Sequence, residues 1–164
     1  GGYPELHAAT LSQNVSMKQS IAAAVRQGMP TYAECGGFIY LTQGLEGMES
    51  SGSRQEFVGM FPVSTRMLEK RKALGYREVE FACDSVLGTK GLVARGHEFH
   101  YSEVSEMPSG VERVFTVRRG DTDMGREGYR VGNCLASYIH LHFGSCPEIA
   151  RNFVESCRTF KKES

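Results

Sequence analysis

The sequence has no excess of either charge. Lys+Arg and Asp+Glu are 19 each, and the formal net charge is zero. A broad nucleic-acid surface is therefore not expected. No apolar run approaches the ~18 residues of a membrane span, and the start carries no signal-peptide pattern. No C-x-x-C pair occurs. The five cysteines, at positions 35, 83, 134, 146 and 157, are odd in number and widely spaced. That favours reduced thiols in a cytoplasmic protein over a disulfide framework. There is no G-x-x-x-x-G-K-[ST] loop to cradle a triphosphate and no G-x-G-x-x-G after a strand for a dinucleotide. Internal repeats are lacking. The initiating Met is lacking too, so Gly1-Gly2 reads as the opening of a piece of a longer chain.

What is present is organised around Thr31-Tyr32-Ala33-Glu34-Cys35-Gly36-Gly37-Phe38-Ile39-Tyr40-Leu41. Thr31 to Ala33 read as a short buried strand, and Phe38, Ile39 and Leu41 shift to helical spacing. Cys35 sits at the corner between them, where Gly36 and Gly37 let the backbone turn tightly. A sulfur there lies beside free N–H groups and the positive end of a helix dipole, and both favour the thiolate. The alternative is a buried Cys beside a turn. Upstream, Glu5 to Gln27 has helical composition. Ser16 is the expected N-cap, Met17, Ile21, Ala24 and Val25 form the apolar face, and Gly28 closes the helix. Helix, strand and helix in this order suit a parallel α/β sheet.

After a polar Gly/Ser-rich loop from Gly44 to Gln55 the pattern changes. Phe57–Met67, Tyr76–Cys83, Gly91–Ser105, Val111–Arg118 and Gly128–Phe143 read as strands, which predicts a mixed sheet with an antiparallel extension. Pro147 opens a final helix with Ile149, Phe153, Val154 and Cys157 toward the core. The whole, residues 1–164, reads as one domain.

Four of the five histidines fall in two clusters. In Gly96-His97-Glu98-Phe99-His100-Tyr101-Ser102, a period of two puts Glu98 and His100 on one face and His97 and Phe99 on the other. In Ser137-Tyr138-Ile139-His140-Leu141-His142-Phe143, the same period pairs His140 with His142. Three readings stand side by side. The histidines are structural; or they bind a metal, although H-x-x-H and H-x-H are unspecific spacings; or one of them accepts the Cys35 proton.

These strings, together with Gly1-Gly2-Tyr3-Pro4-Glu5 and Leu74-Gly75-Tyr76-Arg77, resemble the C-terminal class I glutamine amidotransferase domain of the cobyrinic acid a,c-diamide synthases. The resemblance runs through almost the whole chain. It implies a flavodoxin-like α/β fold with a nucleophile elbow, and with first strands that precede Gly1. It implies that Cys35 attacks the side-chain amide of glutamine, with His140 at the matching catalytic position. The backbone N–H groups of Gly36 and of the Gly1-Gly2 loop, Gly2 included, match the oxyanion donors. The expected partners are glutamine and an N-terminal amidoligase domain of the same enzyme. That domain would use ATP and Mg²⁺ to amidate the a- and c-carboxylates of cobyrinic or hydrogenobyrinic acid in cobalamin biosynthesis. No cofactor or metal is expected in the present domain.

One departure matters. Many class I amidotransferases place a Glu two residues after the catalytic His, and here that place holds His142. Glu98, in the other family string, is the candidate for orienting His140, and His100 is a candidate substrate contact. Glu34 is expected to point away by strand alternation.

Overall fold

The computed structural model describes residues 2–47 and 54–163. The middle of the expected Gly44–Gln55 loop and the Gly1 half of the expected oxyanion loop lie outside the described residues. Pro4–His7 forms one turn of 3₁₀ helix and is followed by α1 (Ala8–Gln13) and α2 (Val15–Arg26). The single helix expected over 5–27 is thus broken at Asn14. The side chain of Asn14 explains the break. Its Oδ1 accepts the Met17 N–H at 3.1 Å, the N-cap bond expected of Ser16. Ser16 lies inside the first turn and donates its own hydroxyl to Asn14. At the other end Gly28, with φ +86°, stands just past the helix, and Met29 N–H reaches back to Ala24 C=O at 3.1 Å, closing a Schellman motif. The buried face of α2 is Ala22 and Val25, while Met17 is half exposed.

β1 (Thr31–Glu34) leads through Cys35 into the short α3 (Gly36–Leu41). The following strands are β2 (Thr42–Leu45), β3 (Gln55–Glu56), β4 (Phe61–Met67), β5 (Ala73–Phe81), β6 (Val93–His100) and β7 (Ser102–Val104). Next come β8 (Glu112–Arg119), β9 (Thr122–Val131), β10 (Cys134–Ser137) and β11 (His140–Leu141). A 3₁₀ turn at Phe143–Ser145 then leads to α4 (Glu148–Glu163). The strand expected over Gly128–Phe143 is therefore three pieces. Gly132, with φ +57°, turns the chain between the first two, and Tyr138-Ile139 separates the last two.

The strands form two sheets. Four pair in the order β3-β2-β4-β7, and seven in the order β1-β10-β9-β8-β5-β6-β11. In the larger sheet β1 runs parallel to β10, and every other pairing among the described residues is antiparallel. Two apolar clusters pack against its faces. One joins α2 and α3 to Phe61 and Val63 of the small sheet. The other gathers Val79, Phe81, Phe115 and Leu135 under Ile149 of α4. Val154, expected in that core, is about half exposed.

The larger sheet is rolled. β10 stands second from one edge and β11 forms the other edge, five strand spacings away. In a flat sheet that gap would be ~24 Å. Yet Ser137 ends β10 and His140 begins β11, a reach of at most ~11 Å. The edges must fold toward each other. A hydrogen bond from Leu141 N–H on β11 to Glu34 Oε1 on β1, 2.8 Å long, joins them. The candidate site lies on this seam.

Candidate active site

Cys35 occupies the sharp turn out of β1 with φ 47° and ψ −104°, and is the sole non-glycine residue with positive φ among the described residues. Such a conformation costs ~1–3 kcal/mol and persists where its surroundings hold it. Here Cys35 N–H donates to Ser137 C=O at 2.7 Å, and Ile39 N–H donates to Cys35 C=O at 2.9 Å. The neighbouring backbone explains the glycine at position 36. A Cβ there would stand 2.6 Å from the Gly2 carbonyl oxygen and 3.0 Å from Pro4 Cδ. The Gly2–Pro4 segment is therefore packed directly against the elbow, and Gly2 itself has φ +133°. A small cavity of about 30 Å³ opens at Cys35, with Gly2, Tyr3, Phe99, Tyr101 and Ser102 in its walls.

The thiol is nearly enclosed, and Sγ lies 3.9 Å from the Phe99 carbonyl oxygen. Burial raises its pKa, and the N–H of Gly36 pulls it down without cancelling the rise. The expected bias toward thiolate is thus outweighed by desolvation, and the resting group is a thiol that needs a base. The other cysteines are also free; burial pushes Cys134 up to about 12, which leaves it inert at neutral pH.

The imidazole nearest the seam is His140. Its Nδ1 faces Glu34 Oε2 at 3.3 Å, while Glu34 Oε1 accepts the Tyr32 hydroxyl at 2.7 Å and Leu141 N–H at 2.8 Å. A carboxylate beside Nδ1 makes that nitrogen the donor and leaves the lone pair on Nε2, the tautomer of a general base. Burial lowers the His140 pKa, Glu34 opposes that, and His97 adds to the lowering. The His97 ring lies parallel to it, with centroids 4.9 Å apart and planes at 14°.

Glu34 replaces the expected Glu98. Alternation does turn Glu34 to the side opposite Ala33, but in the rolled sheet that side holds His140. Glu98 sits on the other face of β6, where its Oε2 accepts Arg77 Nε–H and its Oε1 contacts His100 Nε2, each at 2.8 Å. The histidine that Glu98 orients is therefore His100. Nδ1 of His100 bonds the Ser102 carbonyl at 2.7 Å, and its ring stacks on Tyr138 at 3.9 Å. His100 is buried and also lines the Cys35 cavity. His142 leaves β11 as an exposed residue at the start of the 3₁₀ turn, its ring close against Gly144. The expected shared face with His140 ends with the strand. Among the described residues no three His, Cys, Asp or Glu side chains converge as a metal site.

A cysteine at a strained strand-to-helix elbow in a rolled α/β sheet, with a carboxylate-held histidine on the same seam, suits a class I glutamine amidotransferase of flavodoxin-like fold. A solved glutamine amidotransferase shares that fold at TM-score 0.58 and 19% identity, over 92% of this chain and 72% of its own. The chain belongs to the CobB/CobQ-like glutamine amidotransferase domain family, whose model matches residues 1–147. It is 45% identical over 162 residues to the cobyrinate a,c-diamide synthase of Syntrophotalea carbinolica, which covers 96% of this chain. It is 42% identical over 166 residues to the synthase of that name from Priestia megaterium, covering 99% of this chain. The chain spans 35% of the length of each of these relatives. Among the described residues no helix is long and apolar enough to cross a membrane.

Proposed function

We propose that Cys35 and His140 hydrolyse glutamine. The observation that carries this reading is the strained elbow at Cys35, together with a histidine whose Nδ1 faces the carboxylate of Glu34, the residue preceding that elbow. His140 Nε2 takes the thiol proton, and Sγ attacks the amide carbon of the glutamine side chain. The negative charge forming on the amide oxygen is met by backbone N–H groups. Gly36, whose N–H already lowers the Cys35 pKa, supplies one, and the Gly2 loop packed against it is the candidate for the second. His140 returns the proton to the departing nitrogen, ammonia leaves, and water then cleaves the glutamyl thioester to glutamate and free thiol. Because Cys35 rests as a thiol, each cycle begins and ends with the same proton inventory.

The ammonia is destined, on this reading, for amidation of the a- and c-carboxylates of cobyrinic or hydrogenobyrinic acid. The activity for which the relatives are named supports this acceptor, and their extra length leaves room for an ATP-dependent amidoligase portion. ATP and Mg²⁺ would bind there, since the present sequence has no phosphate-cradling Gly-Lys loop, and no step of the hydrolysis runs through them. In the full-length protein, Cys35→Ala is expected to abolish glutamine-dependent amidation and glutamate release while amidation driven by added ammonium persists. Retained glutamine-dependent turnover in Cys35→Ala would overturn the reading.

A further inference from the structure

The ladder between β9 and β10 pairs Val131 with Cys134, Arg130 with Leu135 and Tyr129 with Ala136, and there it ends. Continuing the register would set Tyr138 opposite Glu127. Instead Gly128 kinks β9, with φ +72° and the Phe115 ring close against it. The Glu127 side chain then takes over from the backbone. Its Oε1 accepts Tyr138 N–H at 2.8 Å and its Oε2 accepts the Ser137 hydroxyl at 2.5 Å. The Ser137 oxygen in turn accepts Ile139 N–H at 2.9 Å. All three residues of the crossover from β10 to β11 therefore hang on one carboxylate.

That crossover governs both members of the catalytic pair. Ser137 C=O holds Cys35 N–H at 2.7 Å, and His140 follows Ile139 directly. We propose that Glu127 is a positioning residue for the glutaminase reaction, setting the separation of Cys35 and His140 through the Ser137–Ile139 crossover. The proposal rests on the Cys35–His140 reading of the site. Glu127 touches neither reacting group, and its ionised form is the one that serves. Two oxygens of a carboxylate accept both donors at once, whereas a neutral acid or amide must turn a donor toward one of them.

Burial pushes the Glu127 carboxyl up to about 7, against the pull of Ser137, Tyr138 and Gly128. The charged and titratable groups that share its cavity from other elements are Arg77 on β5, Lys72 just ahead of it, Glu98 and His100 on β6, and Glu103 on β7. Arg126 and Tyr129 adjoin on its own strand, and Tyr138 lies on the crossover. Arg77, Glu98 and His100 are already tied to one another. Of the charged groups around Glu127, Glu98 is the one that adds to the rise.

The test compares wild type with Glu127→Gln in the full-length protein, following glutamate release from pH 5.5 to 8.5, with melting temperatures as the fold control. Gln mimics the protonated acid, so the two enzymes are expected to converge at low pH. At high pH kcat of the variant should fall behind by about 10- to 10²-fold, the range of a catalytic group displaced by up to ~1 Å. The KM for glutamine should hold. The ratio of the two rates should titrate once near 7, because the ionisations of Cys35 and His140 are common to both and cancel. A ratio near one at every pH overturns the proposal, and so does a large ratio that is flat with pH, the mark of a purely structural loss. Should Glu127→Gln fail to fold, Ser137→Ala removes one of the two donors. A several-fold lower kcat is then expected, and a wild-type value refutes the proposal. Cys35→Ala run alongside separates the two hypotheses. Activity in that variant would sink the site reading itself, whereas its silence together with a wild-type Glu127→Gln sinks only the role of Glu127.

Discussion

Replacing Glu34 by Gln isolates what the carboxylate does for His140. Glu34 Oε1 holds two donors, Tyr32 O–H at 2.7 Å and Leu141 N–H at 2.8 Å, and Oε2 faces His140 Nδ1 at 3.3 Å. A glutamine must keep its single carbonyl oxygen on the two donors, so its NH₂ turns to His140. An N–H facing Nδ1 makes that nitrogen an acceptor and moves the ring proton to Nε2, where it blocks uptake of the Cys35 proton. In a hydrolase triad the corresponding change costs ~10⁴ in kcat through the wrong tautomer. Here the contact is longer and both partners keep some solvent access, so a loss of about 10²–10³ in kcat is expected, within the range for a positioned acid–base group. Stability should change by ~1 kcal/mol or less, since both short bonds survive. The pH profile gives a second signature. Glu34 raises the His140 pKa against the lowering by burial. Without its charge the pKa falls further, and the acid limb of the residual activity moves to lower pH. Glutamate release measured from pH 5 to 9, beside thermal melts, decides it. A Glu34→Gln enzyme with wild-type kcat, or an acid limb displaced upward, would refute the assignment.

Gly36→Ala is expected to push the Gly2 loop away, because the new Cβ would meet the Gly2 carbonyl oxygen at 2.6 Å; disturbing the oxyanion donors in this way should cost ~3 kcal/mol of barrier. Its kcat should fall by about 10²-fold, and an unchanged kcat would show that the packed loop has no part in catalysis. For Glu98, burial raises the pKa but the His100 and Arg77 contacts overcome it, and the net shift is downward. The folded pKa lies below the unfolded one, so the stabilisation is present above the ordinary carboxylate value and is lost as pH falls through the lowered one. The melting temperature of Glu98→Gln should therefore lie below wild type at neutral pH and converge with it as pH falls below the ordinary carboxylate range, whereas a gap that widens in acid would contradict the sign.

The parts of the site that are local in sequence could be read from it. Cys35 is flanked by its own strand, its own glycines and the apolar face of its own helix, so the elbow needs no knowledge of distant residues. The partner of His140 could not be read that way. Alternation was expected to point Glu34 away, but its carboxylate meets His140, because what waits on its side depends on the rolling of seven strands, which no window of sequence contains. Glu127 gave no signal at all, being one acidic residue in a polar stretch between Gly125 and Gly128. Its importance comes from the place where a ladder stops. Smaller misreadings had chemical causes: Asn14 outcompeted Ser16 for the cap, and Gly44, expected to open a loop, lies inside β2 and pairs with Ser64 of β4.

The bond that joins the edges of the rolled sheet spans 107 residues of sequence. β1, which carries the nucleophile into its turn, has β10 for its ladder partner. Contacts of such separation form late, because the loop-closure entropy of the intervening chain must be met before they return any energy. Within this stretch Cys35 precedes Ser137 and His140 by about a hundred residues, and until they follow it has no Ser137 carbonyl to hold its backbone. Cys35 and His140 come onto one seam only when β10 and β11 fold into place, so on the proposed reading competence for chemistry is a report on completed topology.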